Sequence, residues 1–190
     1  MQFDMRRPWS EEQTIFLVGP GGVGKSTLGR ELAAQMNRPL IDLDHVFCRE
    51  IEVIGAFIDR HGYAAYRAEN LALAARLVAA MDAPGIFVTA SGFLAAARSS
   101  EDYEAARALL STGYTIALLP SLDLAEATAL VVARQLTRGF GLVRETEEQK
   151  FQARFHIYKD EGDLLAIANA PAAQIAEALI ERLHAGQAGG

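Results

Sequence analysis

The chain has 190 residues, of which 51% are hydrophobic, and it carries a formal net charge of -6 with a sequence pI near 5.2. This length suits a single domain with an ample core, and the composition excludes a disordered protein. The 18 Lys and Arg residues are scattered along the chain, which argues against a nucleic-acid-binding surface because phosphate neutralisation needs clustered basic residues.

Cysteine content and hydropathy narrow the class further. The single cysteine, Cys48, cannot form an intrachain disulfide, lacks the cysteine and histidine neighbours of a zinc site, and is expected to be a small buried side chain. No apolar run reaches the about 18 residues needed to cross a membrane, and the first nine residues lack the apolar core of a signal peptide. We therefore expect a monomeric, cytoplasmic protein whose partners are small molecules, with neither nucleic acid nor membrane among them.

The beginning of the chain leads into a glycine-rich motif. Residues 1–13 show no hydrophobic period and predict a short irregular arm, which Trp9 packs down. The apolar run 14–18 predicts a buried strand, and residues 19–27 directly after it fit the phosphate-binding pattern G-x-x-x-x-G-K-[ST], the Walker A motif. Apolar residues at helical spacing follow the motif. The strand, turn and helix that a P-loop requires are therefore all indicated.

The chemistry of this motif predicts a nucleotide-binding site. Its glycines let successive backbone N–H groups point at one anion, and the following helix adds the positive end of its dipole. Lys25 is expected to reach the β- and γ-phosphates of ATP, Ser26 to hold Mg²⁺ and Thr27 to contact the α-phosphate. The alternative is a glycine turn that merely joins a strand to a helix. The predicted cofactor-binding residues of the loop are Gly21, Gly22, Val23, Gly24, Lys25, Ser26 and Thr27.

The rest of the chain alternates short apolar runs with helical patterns. Beyond the first strand and helix, the expected strands are 39–42, 86–90, 114–119 and 164–168, and the expected helices are 63–81, 101–110, 123–137, 147–160 and 172–184. Residues 45–60 hold a loosely apolar pattern that Gly55 interrupts. This alternation predicts an α/β protein with three layers, in which helices cover both faces of a central five-stranded parallel sheet. Ligands are expected at the carboxyl ends of the strands.

Two aspartates follow the second predicted strand. If the strand stays extended to its end, Asp42 and Asp44 point to the same side, over the phosphate loop. Two hard oxygen ligands, or one ligand and one proton acceptor, would then face the nucleotide. The alternative is that Asp44 only caps the next helix, because aspartate is a preferred N-cap residue.

The segment from Arg138 to Glu148 lacks a hydrophobic period and is predicted to be a loop. Phosphoryl transfer needs charge neutralised on the γ-phosphoryl oxygens and water excluded, and kinases of this size commonly close a mobile lid that carries an arginine. We therefore expect residues 138–150 to form a lid with Arg138 as a catalytic residue. Arg134, one helical turn earlier, is a candidate to stack on adenine.

Several landmarks in one order give the chain a resemblance to the shikimate kinases. They are the phosphate loop with Gly29-Arg30-Glu31-Leu32-Ala33, Asp42-Leu43-Asp44, Gly62 with Tyr66-Arg67, Ser91-Gly92, Arg138, and Arg154 with Tyr158. The resemblance implies a single P-loop kinase domain over 1–190, with 45–81 as a substrate-binding sub-domain. It also implies transfer of phosphate from ATP to shikimate, in aromatic amino acid biosynthesis.

The resemblance also implies roles for individual residues. Asp42 would lie near Mg²⁺ together with Ser26, and Asp44 would contact the acceptor hydroxyl. Arg67 and Arg154 would clamp the acceptor carboxylate, and the Ser91-Gly92 segment would contribute backbone contacts to the acceptor.

The chain departs from the family pattern at positions that bear on the acceptor. The proline that follows the lid arginine is absent. The triple glycine after the third strand appears as Ala90-Ser91-Gly92 or as Ser91-Gly92-Phe93, and either version narrows the pocket. The family's two glutamates near Arg67 are replaced by Tyr63 and Asn70, so Arg67 is expected to lack its carboxylate support. These departures leave two alternatives open: a kinase of the same build acting on another polyol acid or a nucleotide, and a non-catalytic nucleotide-binding regulatory module.

Overall fold

The computed structural model describes residues 1–137 and 142–187. The strands of this part of the chain are β1 Gln2–Met5, β2 Ile15–Val18, β3 Leu40–Asp42, β4 Ile86–Val88, β5 Tyr114–Leu119 and β6 Leu164–Ile167. The helices are α1 Lys25–Met36, α2 Leu43–Glu50, α3 Ile54–Ala79, α4 Glu101–Leu110, α5 Leu124–Leu136, α6 Arg144–Lys159 and α7 Ala172–Gln187.

The six strands form one sheet in the order β1-β6-β5-β2-β4-β3. The five strands from β2 to β6 run parallel, which confirms the predicted parallel sheet. Every residue of β2, β4 and β5 is buried, as expected where helices cover both faces of a sheet. On these faces α1 packs beside α7, and α5 packs beside α6. The carboxyl ends of β2, β3 and β4 therefore meet at one edge, where the predicted site residues follow them.

The prediction of an irregular arm at the start of the chain is wrong for residues 2–5. They form β1, which pairs antiparallel with β6, with Gln2 opposite Ile167 and Met5 opposite Leu164. Four residues on the rim of a sheet, alternately exposed and half-buried, are too few to show a hydrophobic period. Trp9 does pack the arm down, as predicted: it is 3% exposed, and the Arg38 guanidinium group lies 4.9 Å from the centre of its ring.

Residues 45–60, for which the sequence predicted only a loosely apolar pattern, lie mostly in α2 and the first part of α3. The predicted break at Gly62 is confirmed, because this residue interrupts α3 with φ 84° and ψ 161°. The expectation of a buried Cys48 is wrong. The buried face of α2 carries Leu43, Val46 and Phe47, which leaves Cys48 exposed on the other side.

The prediction of a loop up to Glu148 is also wrong, because α6 begins at Arg144. Its first turns consist largely of charged residues, so the sequence shows no hydrophobic period there. These residues form ion pairs: Arg144 lies 3.5 Å from Glu148, and Lys150 lies 2.9 Å from the buried Glu147. The first residues of the predicted lid, 138–141, lie outside the described residues, and Arg138 is among them. The proposed lid of 138–150 therefore includes the start of a helix.

Candidate active site

The phosphate loop leaves β2 through a series of glycines that hold backbone angles unfavourable for other residues. Gly22 has φ 80° and Gly24 has φ 102°. Gly24 also occupies the N-cap position of α1 without a side-chain capping bond. The first amides of α1 therefore point into the concave side of the loop with no side chain competing for them, which is the arrangement that binds an anion.

Lys25 is the first residue of α1 and lies at the centre of this loop, 8% exposed. Its Nζ atom donates hydrogen bonds to the carbonyl oxygens of Gly19 at 2.7 Å and Pro20 at 3.0 Å. Burial lowers the pKa of Lys25 to about 8, and the nearby carboxylates of Asp44 and Asp42 oppose that shift. The group is thus a desolvated cation held ready beside an anion-binding loop.

A cleft of about 160 Å³ lies over the loop. The predicted site residues in its wall are Gly21, Gly22, Gly24, Lys25, Ser26, Thr27, Asp44 and Ser91, together with Thr89, which sequence reasoning missed. The structure therefore brings the phosphate loop, the second aspartate and the segment after β4 into one space.

A second cavity, of about 140 Å³, adjoins the outer side of the loop and contains the remaining predicted nucleotide contacts. Val23 and Arg134 line it together with apolar residues of β5 and α7. The Arg134 Nη2 atom donates a hydrogen bond to Asn169 Oδ1 at 2.5 Å, which fixes the guanidinium group beside this apolar wall. A flat aromatic ring such as a nucleobase matches such a combination of apolar wall and arginine.

The two aspartates differ from the predicted extended arrangement. The strand β3 ends at Asp42 and α2 begins at Leu43, so Asp44 lies in the first turn of a helix. Asp42 occupies the N-cap position of α2 but makes no side-chain capping bond. The alternative that Asp44 only caps the helix is therefore wrong as well, and both carboxylates are free of helix capping.

Asp44 lines the cleft and is held by a tyrosine of α3. Tyr66 Oη donates a hydrogen bond to Asp44 Oδ1 at 3.3 Å. Burial raises the pKa of the Asp44 carboxyl above its usual range, and the positive charge of Lys25 partly offsets this shift. A buried carboxylate with a raised pKa is a better proton acceptor than an exposed one, which suits a general base.

Arg154 of α6 reaches the segment that follows β4. Its Nη1 atom donates to Ser91 Oγ and its Nη2 atom to Tyr63 Oη, both at 3.0 Å. Tyr158, one turn later on α6, donates from Oη to the Ser91 carbonyl oxygen at 3.1 Å. Sequence reasoning noted Tyr63 only as a replaced glutamate, but the structure shows that it orients Arg154.

Gly92 is crowded by these same groups. A Cβ atom at this position would overlap the Tyr63 hydroxyl group and lie 3.4 Å from Arg154 Nη2. The altered glycine segment is therefore filled by Tyr63, in accordance with the predicted narrowing of the pocket.

Arg67 has a carboxylate partner, contrary to expectation. Its Nη2 atom donates to Asp102 Oδ2 at 3.0 Å, and Asp102 lies in the first turn of α4. Sequence reasoning missed Asp102 because the pair spans 35 positions and an acidic residue in a first helical turn is explained by the helix dipole alone. Arg67 and Gly92 line a third cavity, next to the cleft.

A larger cavity, of about 350 Å³, lies away from this chemistry, among Arg6, Arg7 and Asp163. Its arginines are already engaged: Arg7 makes two bonds of 2.9 Å to the Asp163 carboxylate, and Arg6 donates to backbone carbonyl oxygens. This cavity lies where β1 meets β6. The hydrogen bonds of its arginines join the residues after β1 to the residues before β6. The phosphate cleft, although smaller, carries the reactive groups.

Two further observations concern metal ligands and membrane spans. Within residues 1–137 and 142–187, no three His, Cys, Asp or Glu side chains cluster in a way that could hold a metal ion. A divalent cation here would need ligands from the nucleotide phosphates in addition to Ser26 and Asp42. The same part of the chain contains no helix with the length and apolar content of a membrane span.

Comparisons with known proteins agree with this geometry. The family model described as "Shikimate kinase" matches residues 21–184. A shikimate kinase of Mannheimia succiniciproducens is 30% identical over 161 residues, which cover 82% of this chain and 85% of the relative.

Solved structures are similar in fold over most of the chain. A shikimate kinase of Acinetobacter baumannii in complex with shikimate has a TM-score of 0.74 at 22% identity, covering 92% of this chain and 94% of that one. A gluconokinase of Sinorhizobium meliloti 1021 has a TM-score of 0.62 at 18% identity, covering 94% of each chain. The fold is thus shared by kinases whose names give different acceptors, so the acceptor must be argued from the site.

Proposed function

We propose, because this chain belongs to the shikimate kinase family, that it transfers the γ-phosphoryl group of ATP to a hydroxyl group of a small hydroxylated carboxylic acid, with shikimate as the first acceptor to test. The observation that carries this proposal is the shared cleft, in which Asp44 lies across from the phosphate loop. An anion-binding loop without a facing base would support nucleotide binding alone.

The nucleotide half of the proposal rests on the loop. Backbone amides of residues 21–27 bind the phosphates, and Lys25 exchanges its bonds to loop carbonyl oxygens for bonds to the β- and γ-phosphates. Ser26 and Asp42 hold Mg²⁺, which, when bound, neutralises charge on the phosphate oxygens. Arg138, outside the described residues, is proposed to neutralise the γ-phosphoryl group from the lid at 138–150.

The acceptor half rests on Asp44. Its carboxylate accepts the proton of the acceptor hydroxyl while that oxygen forms a bond to the γ-phosphorus and the bond from phosphorus to the ADP oxygen breaks. Tyr66 fixes the orientation of the carboxylate through its hydrogen bond to Oδ1. Residues 45–81, which include most of α2 and all of α3, act as the substrate-binding sub-domain.

The acceptor carboxylate is assigned to Arg67 and Arg154. Both lie beside Gly92: Arg67 lines the same cavity, and Arg154 Nη2 lies 3.4 Å from the position of a Cβ atom there. A planar guanidinium group pairs with a carboxylate through two parallel bonds, which favours acids over neutral sugars. We propose that the enzyme acts as a monomer in the cytoplasm.

A second candidate is a kinase of the same build that phosphorylates another polyol acid. The Tyr63 side chain, which occupies the space beside Gly92, favours it because this crowding changes the shape of the acceptor pocket. The carboxylate recognition and the chemistry at Asp44 would be the same.

An ATP-consumption screen tests both candidates. The purified protein is assayed with Mg²⁺ and ATP against hydroxy acids, sugars and nucleosides, with shikimate and gluconate included. We expect ADP formation that depends on one of the acids and disappears in Lys25→Met. Nucleotide binding without any acceptor-dependent turnover would contradict the kinase proposal and favour a nucleotide-binding regulatory module.

A further inference from the structure

A small cavity lies between α3, α4 and the segment that follows β4. It has a volume of about 20 Å³, and its wall includes Arg67, Asn70, Gly92 and Asp102. A space of this size holds one water-sized group. The segment that follows β4 contributes to both spaces, since Ala90 and Gly92 line the cavity and Thr89 and Ser91 line the phosphate cleft.

Two buried donors meet at this cavity without partners. Arg67 Nε and Asn70 Nδ2 have no hydrogen-bond partner within the described residues, and Asn70 is 3% exposed. An unpaired buried donor destabilises the folded protein, and such groups in native proteins call for an explanation. The buried neighbours of Asn70 on α3 include Leu73 and Ala74, so an apolar side chain would suit the packing at this position better than an amide.

Arg67 has one engaged and one unpartnered donor. Its Nη2 atom donates to Asp102 Oδ2 at 3.0 Å, which fixes the guanidinium plane, while its Nε–H group has no partner within the described residues. Asp102 thus supplies the carboxylate partner of Arg67 from another helix, and the Asn70 amide beside Arg67 is free to donate.

We propose that Asn70 is a specificity-determining residue for the acceptor, an inference that rests on the kinase function proposed above. The Asn70 amide and the Arg67 Nε–H group together bind one carboxylate oxygen of the acceptor in the small cavity. Both protein groups can only donate, so the bound atom must accept two hydrogen bonds, and a negative charge strengthens both. The rest of the acceptor lies in the phosphate cleft, where its hydroxyl group meets Asp44.

Asn70→Leu is the main test, because leucine has the same branched side-chain skeleton as asparagine and removes the donor. The dissociation constants of shikimate and gluconate are measured by calorimetry with ADP present, which needs no turnover. We expect the dissociation constant of the acid that the parent binds to rise about ten- to hundredfold, with ADP affinity unchanged. The unfolding midpoint of the unliganded variant should be unchanged or higher, because an unpaired buried donor has been removed.

Asn70→Asp is the second variant, since it keeps the shape and replaces the donor with an acceptor that repels a carboxylate. We expect it to weaken acid binding at least as much as Asn70→Leu does. Ala68→Asp is the matched control, because it adds the same charge to an exposed position of the same helix. That control should leave acid binding unchanged.

The outcomes separate the subsite from the kinase function. A lower unfolding midpoint for Asn70→Leu with unchanged acid affinity assigns Asn70 a purely structural role and overturns the subsite. If the parent binds an acid but never consumes ATP with it, the kinase function fails, while the Asn70 comparison still decides the subsite. If the parent binds neither acid, the subsite proposal is overturned as well.

Discussion

At the scale of single residues, Lys25 carries a desolvated charge, and its side chain has no role in packing. Its Nζ atom bonds only to loop carbonyl oxygens among the described residues. We expect Lys25→Met to abolish phosphoryl transfer and to leave the fold intact, because the ammonium group neutralises phosphate charge. Turnover with the best acceptor and the far-ultraviolet circular dichroism spectrum check this pair of outcomes. Unchanged turnover would contradict the kinase function.

The lowered pKa of Lys25 predicts a pH dependence of stability. The folded pKa of about 8 lies below the ordinary lysine pKa of 10.5 in the unfolded chain, so between these values the unfolded chain binds more protons and stability rises with pH. The unfolding free energy of the parent relative to Lys25→Met should rise by about 3 kcal/mol from pH 8 to pH 10.5. Urea titrations of the nucleotide-free proteins at several pH values measure this difference. A flat difference would show that the lysine titrates normally in the folded state.

Arg67 and Arg154 allow a test of carboxylate recognition. Replacing either with alanine should cost about 2–5 kcal/mol of acceptor binding, because the buried charge of the ligand loses its partner, and should leave ATP affinity unchanged. Acceptor KM and nucleotide affinity measure the two effects. Arg76→Ala is a suitable control, because Arg76 lies on the same helix as Arg67 but forms an exposed pair with Glu50. If both variants bind the acceptor as well as the parent does, the carboxylate assignment is wrong.

The site residues were predictable from sequence wherever a motif fixes the spacing. Lys25 and Ser26 follow from the phosphate-loop pattern, because the loop itself determines where each side chain points. Asp102 was not predictable, since its partner Arg67 is brought to it only by the packing of α3 against α4. Tyr63 is a similar case: its contact with Arg154 joins residues 91 positions apart.

At the scale of elements, the position of α1 on the sheet depends on a glycine. A Cβ atom at Gly29 would lie 2.5 Å from Val88 Cγ2 on β4, so Gly29→Ala must push the helix away from the strand. We expect a loss of about 1–3 kcal/mol in unfolding free energy together with weaker nucleotide binding, because α1 begins at the phosphate loop. Urea unfolding and ATP affinity measure the two effects.

Gly55 provides the matched control for this substitution. It lies in the first turn of α3, and nothing lies within 4 Å of a Cβ atom placed there. Gly55→Ala should therefore raise the unfolding free energy by about 0.5–1 kcal/mol, because alanine favours the helix and restricts the unfolded chain. A loss of stability at Gly55 similar to that at Gly29 would mean that the close approach of α1 to β4 is not the cause.

Elements with a continuous apolar run or a clean cap were predicted closely. The helix 101–110 and the strand 114–119 have the predicted bounds, since Ser100 caps one and full burial marks the other. β1 and the first turn of α6 were missed, because an edge strand of four residues and a helix start covered by ion pairs show no hydrophobic period. The contacts that stabilise β1 come from a distant part of the chain, whereas the ion pairs at the start of α6 are local.

At the scale of the whole molecule, the metal requirement is a further prediction. Mg²⁺ should be essential for turnover and bound chiefly through nucleotide phosphates, because the described residues offer no cluster of three metal-ligating side chains. Chelation should abolish activity and added Mg²⁺ should restore it. Elemental analysis should find no stoichiometric transition metal that activity depends on, and finding one would contradict this assignment.

The antiparallel pairing of β1 with β6 also bears on the order in which the protein is made. Met5 pairs with Leu164, which is synthesised 159 positions later. At typical rates of translation, β1 waits about 10–30 s for its partner strand. Its free edge can meanwhile pair with other chains. We expect the charges of Asp4, Arg6 and Arg7 to disfavour such pairing until the ribosome has made residues 164–167. In the folded protein Arg6 donates to the Glu161 carbonyl oxygen and Arg7 pairs with Asp163.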